Sequence, residues 1–478
     1  MRRSSIAALL TLMATAAPVS LAAQEKDPPK GGALRPYAVP SVQTFTLKNG
    51  LRVLLVARHS LPVVTARFIV DAGAMREPAD KNGLAVLTGN LLSEGAKGLT
   101  GAQIAEQMAD LGAQLATFGD YGTAYVAVTS LTNNFPKALA LAASTLTDPT
   151  FSQSDFDRLK TSTIAAYRRS QSTVEGVGSR VFNMAIYDPA TPYSRPPAGT
   201  AASLEKLTRD EVLNWYKSMY SPKNTTLILI GDITAATARS VAEQAIGSWN
   251  TPAPALSPFV GKPQNITGNR IILVDRPGSV QSQIIIGQPM VGWESDDLLR
   301  ITATQRVLGG GVSNRVNNNL REKRGWSYGV FASYSPLKGT GSFYISGTVR
   351  TNATDSSIAE AVKEYRRIAS EPVPEAELSG HLTNVVSGFP SSVQTVQGLM
   401  ARLTNVVVYG LPLDYYSTYR ERLAAVTPSD VGRVGSTYLK PDALTIVAVG
   451  DLKTIEAPIR ALNLGTVEVW DNEGKKLK

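Results

Sequence analysis

The sequence predicts an α+β protein of two homologous α/β sandwich domains, each a mixed β-sheet flanked by helices. Three observations carry this expectation. Strands and helices alternate along the chain, one long segment occurs twice, and a proline-rich joint separates the two copies. The repeated segment reads TRDEVLNWYKSMYSPKNTTLILIGDI at 208–233 and TPSDVGRVGSTYLKPDALTIVAVGDL at 427–452. Residues 208 and 427, 222 and 441, and 231 and 450 are each 219 apart, so the register does not slip.

Each copy opens on a capping box, Thr208-x-x-Glu211 or Thr427-x-x-Asp430, in which each side chain accepts from the other residue's backbone N–H. Each helix stops ahead of a proline, Pro222 or Pro441, which lacks the N–H that would continue it. A β-rich apolar run follows and ends at Gly-Asp in both copies. The joint spans 251–267, where Pro252, Pro254, Pro258 and Pro263 favour a stiff extended chain. The domains are therefore expected at 41–250 and 268–465, with 466–478 a tail.

In chain order, FTLKNGLRVLLVAR is a hairpin pattern with Asn49-Gly50 at its turn. Strands are expected at 65–70 and 123–129, and helices at 100–111, 134–147 and 154–170. The second domain opens on RIILVD at 270–275. Strands are expected there at 282–287 and 341–349, and helices at 298–308, 356–369 and 375–387.

Residues 1–22 read as a secretory signal peptide. Arg2 and Arg3 give a positive start, 6–17 is a short apolar run, and Ser20-Leu21-Ala22 offers a cleavage site. An uncleaved anchor is the alternative reading. Residues 23–40 read as a flexible N-terminal segment. No later stretch reaches the roughly 18 apolar residues of a membrane helix. The expectation is a periplasmic protein, with a secreted or envelope-associated one as alternatives. The chain has no cysteine, which excludes disulfides, thiol catalysis and thiolate metal sites. The net charge of +9 is scattered, apart from Lys475, Lys476 and Lys478. It reads as a solvated surface or as attraction to acidic peptides or an anionic membrane. With no aromatic-interleaved basic patch, nucleic acid is not an expected partner.

Several motifs recur in the order of one family. LKNGLRVLLV, NGLAVLTGNLLSEGAKGLTG, the linker, VDRPGSVQSQIIIG and LGGGVSNRVNNNLREKRGWSYGV together cover nearly the whole mature chain. In them the chain resembles the insulinase/pitrilysin zinc metallopeptidases, above all the bacterial members of about this size and the subunits of processing peptidases. The resemblance implies two chains closing around an unfolded peptide, which adds as a strand to an exposed sheet edge. The family's peptidases carry HxxEH on a helix, two His binding zinc and the Glu acting as general base, with a later Glu as third ligand.

This sequence departs from that pattern. The matching helix has Val86 at the first His, Gly89 at the general base and Asn90 at the second His. The third ligand falls near 165–167, where no carboxylate occurs. Only two histidines exist, His59 and His381, in different halves. Each reads as a surface or loop residue, and no GxSxG elbow supports a serine triad. No metal or other cofactor is expected in this chain, and zinc is expected in a partner.

The second half keeps a different feature. In two-part members of the family, the part without zinc supplies an Arg and, seven residues on, a Tyr that reach the bound peptide. Arg321 and Tyr328 have that spacing. The resemblance implies that they act in trans on the scissile carbonyl, and the alternative is an ordinary salt bridge and a packed ring. Gly309, Gly310 and Gly311 match the loop before that helix and are expected to contact substrate; no Walker lysine follows them to make a nucleotide site. The expected protein is a non-catalytic, substrate-binding subunit paired with an HxxEH-bearing chain. The rival reading is a zinc-free peptide-binding or scaffold protein, possible as a homodimer.

Overall fold

The structure is a computed structural model and describes residues 37–259 and 261–478. The expected signal peptide and most of the 23–40 segment lie outside the described residues. Ala38–Lys478 forms one compact unit. No described helix is long and apolar enough to cross a membrane.

In the first half the strands are β1 (Gln43–Thr46), β2 (Arg52–Ala57), β3 (Val63–Val70), a short ribbon of β4 (Gly95–Ala96) and β5 (Leu99–Thr100), β6 (Gln114–Gly119), β7 (Ala124–Leu131) and β8 (Thr225–Gly231). They form a six-stranded sheet of order β1-β2-β8-β3-β7-β6, plus the separate β4-β5 ribbon. The second half supplies β9 (Arg270–Asp275), β10 (Gln281–Met290), β11 (Ser327–Pro336), β12 (Gly341–Arg350), β13 (Thr445–Gly450) and β14 (Thr466–Trp470). Their order is β11-β12-β10-β13-β9-β14. The repeat is visible in register: β2 runs parallel to β8 as β9 does to β13, and both β8 and β13 lie antiparallel to the next strand inward.

Local chemistry accounts for the element ends. Both expected capping boxes form, at Thr208/Glu211 and Thr427/Asp430. The β1–β2 turn is a three-residue loop, Lys48 to Gly50, closed by Leu47 N–H donating to Leu51 O at 2.9 Å. Gly50 takes the left-handed φ of 90° that such a loop needs at its last position. Asn49 Oδ1 accepts from Leu51 N–H within the turn at 3.2 Å, and its Nδ2 donates to Ile246 O and Trp249 O, which docks the hairpin on a helix end.

Two expectations need correction. The segment expected as a tail begins with β14, which pairs in parallel with β9, and the chain then folds back so that Leu477 N–H donates to Val469 O at 2.7 Å. The domains expected at 41–250 and 268–465 also do not each bury their own sheet, because they exchange a helix. The Val174–Ile186 helix lays Val177, Val181 and Phe182 on Ile272, Ile285 and Val447 of the second sheet. The Val396–Tyr409 helix lays Leu399, Met400 and Leu403 on Leu54, Ile69, Ile228 and Ile230 of the first. The central strands of each sheet are thus covered on both faces, one by the half's own helices and one by its neighbour's. Both crossing helices start alike, with Thr173 and Thr395 accepting from Gly176 and Gly398 N–H. A Cβ on Gly176 would come within 2.1 Å of Ser170 O, and one on Gly398 within 2.0 Å of Ser392 O, so only glycine fits.

Candidate functional site

The helix expected to correspond to HxxEH runs from Leu84 to Leu91, and seven of its eight residues are buried. Gly83 at its start is left-handed and offers no side-chain cap. Glu77 replaces one: its carboxylate accepts from Gly83 N–H and Ala85 N–H at 3.2 Å and from Asn82 Nδ2 at 3.1 Å. Burial pushes Glu77 up to about 7, while those hydrogen bonds and Arg195 pull the other way.

The helix then lies directly on β6 and β7. Val86 is 5% exposed, and a Cβ on Gly119 of β6 would be 2.9 Å from its Cα. A Cβ on Gly89 would be 3.3 Å from Ala124 Cβ and from Phe118 O. The three positions carry an alkyl group, a hydrogen and a neutral amide, so the donor set does not fit zinc. At the expected third position, Tyr167 donates from its hydroxyl to Glu473 at 2.7 Å and meets Arg180. Burial raises the Tyr167 phenol. Among the described residues no three His, Asp or Glu side chains converge to hold a metal. His59 pairs with Asp232 at 2.6 Å on the surface, whereas His381 lies on the Glu375–Gln394 helix, its pKa lowered by burial despite the nearby charge of Glu377.

Arg321 and Tyr328 do come together, with the guanidinium carbon 5.1 Å from the ring centroid. Arg321 sits on a single wide turn, a π-helix over Asn318–Lys323. Such turns displace side chains from the ordinary helical path. Gly325 N–H closes on Arg321 O, and Trp326 N–H on Leu320 O, each at 2.9 Å. Tyr328 falls in a β-bulge between Ser327 and Gly329, so it has no partner residue on β12 and stands 86% exposed. The ring therefore does not pack at a strand end. Arg321 keeps one local ion pair, to Glu322 at 3.2 Å.

The groups that hold this turn were not evident from the sequence. Asn319 Nδ2 donates to Glu360 and Glu364 at 2.9 Å, and Arg324 donates to Asn319 Oδ1 at 2.8 Å and to Glu360 at 2.7 Å. Asn317 Oδ1 accepts from Val330 N–H at 3.3 Å, and Gln305 Nε2 donates to Ala332 O at 2.6 Å, so side chains occupy part of the β11 backbone. The run Asn317-Asn318-Asn319 was the only sequence signal. Of the glycines expected to contact substrate, Gly309 has another task. It is buried, and a Cβ there would be 2.0 Å from Ala332 N, so it lets its helix touch β11. Gly310 is half-buried against Arg306, and Gly311 faces open space.

The chain matches the insulinase (peptidase family M16) profile over residues 52–190 and the peptidase M16 inactive domain over 206–385. It is 21% identical to the Helicobacter pylori zinc protease PqqE over 86% of this chain and 93% of that one. It is 19% identical to the same organism's non-peptidase homolog YmxG, over 84% and 92%. A crystal structure of a peptidase M16 inactive domain from Pseudomonas fluorescens superposes with a TM-score of 0.80 at 24% identity, covering 86% of this chain and 98% of that one. Two M16-type halves in the expected order, on a fold shared with a solved M16 domain, place the chain in the insulinase (M16) peptidase family.

Proposed function

We propose that this chain is the non-catalytic, substrate-binding subunit of a heterodimeric zinc metalloendopeptidase that acts on peptides in the bacterial periplasm. It supplies Arg321 and Tyr328 in trans to a partner bearing HxxEH and zinc. The carrying observation is a contrast within one chain: the positions that the resemblance assigns to the ligands and base hold Val86, Gly89 and Asn90, while Tyr328 is 86% exposed on a bulge beside Arg321. The similarity to both a protein named a zinc protease and one named a non-peptidase homolog, in one organism, supports a family that contains chains of both kinds.

The guanidinium and the phenol are hydrogen-bond donors. Placed on the scissile carbonyl, they stabilise the oxyanion as it forms, which is the step where fixed donors contribute most. Peptide would be held by the β6 edge: among the described residues no side chain bonds to the backbone of Gln114–Gly119, and that edge is free to accept a strand.

The test is affinity capture of the tagged chain from its native envelope, with partners sequenced by mass spectrometry. A stoichiometric partner with HxxEH and a later Glu is expected. In the reconstituted complex Tyr328→Phe should assemble normally and lose about 10²–10³ in kcat, the usual effect of removing one oxyanion donor. Recovery of the chain alone would instead support the zinc-free binding or scaffold reading, and unchanged kcat would remove Tyr328 from the chemistry.

A further inference from the structure

The repeat provides an internal control for reading charge. Arg52 in β2 lies opposite Thr226 of β8, and Arg270 in β9 lies opposite Thr445 of β13, so the two arginines hold the same place in the two sheets. Arg270 is neutralised, with Nε 3.4 Å from Glu468 and the guanidinium 4.9 Å from the Trp470 ring. Arg52 is exposed and has no ion pair or side-chain hydrogen bond among the described residues. Lys223 holds the repeat position of Asp442, which pairs with Arg366 at 3.3 Å. Lys223 has no such partner. Its stem lies along Gly50, where a Cβ would be 3.1 Å from Lys223 Cγ.

Arg52 and Lys223 line a cavity of about 400 Å³ together with Lys338, a third cation without a partner, from the loop after β11. The cavity's acid, Asp71, is already taken by Arg76, at 3.0 and 2.7 Å. Val407, Val408 and Tyr409 of the crossing helix also line it. They belong to the last turn, whose carbonyls have no acceptor role inside the helix. Three uncompensated cations attract an anion, and helix-end carbonyls accept from N–H groups, which an inorganic anion lacks and a peptide has.

We infer that the first-half cavity binds the carboxylates of an acidic peptide segment, with Arg52, Lys223 and Lys338 holding the charge. It is a second site, apart from Arg321 and Tyr328. Tyr328 is near the start of the ten-residue strand β11 and Lys338 lies past its end, a run of about 33 Å at roughly 3.3 Å per residue. The inference goes beyond the proposed function, since it needs neither a partner nor zinc.

Isothermal titration calorimetry of the purified chain tests it, with triglutamate, trilysine and inorganic phosphate as probes. Triglutamate is expected to saturate one site, trilysine to give no binding, and phosphate at equal concentration not to displace triglutamate. The double variant Arg52→Glu, Lys223→Glu should bind triglutamate at least about tenfold more weakly, having lost two charge-assisted hydrogen bonds. Both side chains are exposed, and a thermal melt checks that the variant folds. The control pair Lys137→Glu, Lys217→Glu makes the same change of net charge at exposed helix positions and should keep wild-type affinity. Absent triglutamate binding, equal weakening by the control pair, or displacement by phosphate would each overturn the inference.

Discussion

Replacing Leu403 with alanine should destabilise the half of the molecule to which Leu403 does not belong in sequence. Leu403 is 3% exposed on the crossing helix, against Leu54, Val56, Ile69, Ile228 and Ile230 of the first sheet. A buried Leu→Ala change costs about 2–5 kcal/mol, the higher values arising where surroundings cannot collapse into the cavity. Collapse is restricted here, because the same strands turn Val53, Leu55, Phe68, Leu227 and Leu229 into the opposite layer, where they are also fully buried. The expected loss is therefore about 3–4 kcal/mol, in the upper part of that range. Urea unfolding followed by circular dichroism measures it, and hydrogen exchange locates it. Peptides from β2, β3 and β8 should lose protection together with 396–409, within one cooperative transition. If the loss is confined to 396–409, or the second half unfolds while the first keeps its protection, the helix exchange does not couple the halves and the reasoning fails.

Asn319→Ala removes hydrogen bonds to two carboxylates, each worth about 1.5–3 kcal/mol when one partner is charged. It should lower kcat of the reconstituted peptidase with KM unchanged, and an unchanged kcat would mean that this turn does not position Arg321. Asp297 is held well below the usual carboxylate range, first by its hydrogen bond with Arg433 and then by Tyr438 and Arg300. A depressed folded-state value adds stability above the unfolded value, near 4, that is lost as pH falls through that region and below. Midpoints of urea unfolding should therefore drop less between pH 6 and pH 3 for Asp297→Asn than for the parent chain; parallel curves would contradict the assignment.

The sequence made the repeated frame legible because its signals are local. A capping box, a proline that ends a helix and a Gly-Asp strand end act within a few residues, and both copies form as expected. Helix exchange is not local. The stripe of Val177, Val181 and Phe182 says that one face is buried, but no property of that stripe says which sheet buries it. A second repeat was present, Thr173-Val-Glu-Gly176 against Thr395-Val-Gln-Gly398, and it marks the starts of the two crossing helices. Strand β6 escaped notice because apolar residues fall on both its faces, Ala116 and Phe118 toward solvent and Leu115 half-buried, so QLATFG shows no apolar-polar alternation. At the candidate site the seven-residue spacing of Arg321 and Tyr328 was readable. The π-turn and the bulge that bring them to 5.1 Å are backbone departures with no residue signature of their own.

The Leu84–Leu91 helix shows how the fold is kept without metal ligands there. A ligand-bearing site requires polar groups held apart around a cavity, which leaves buried polar atoms to be satisfied. Here the Leu84–Leu91 helix has Val86 against Gly119 and Gly89 against Ala124, so close contact of helix and sheet leaves no such cavity between them. The backbone donors at the helix start are taken by Glu77. This contact backs the first sheet at β6 and β7, and β6 remains the sheet's edge strand. Chemistry and strand binding are therefore separable in this fold: the first needs a polar cavity between helix and sheet, and the second needs only an unobstructed edge. Under the proposed function, this separation lets a subunit without zinc handle peptides.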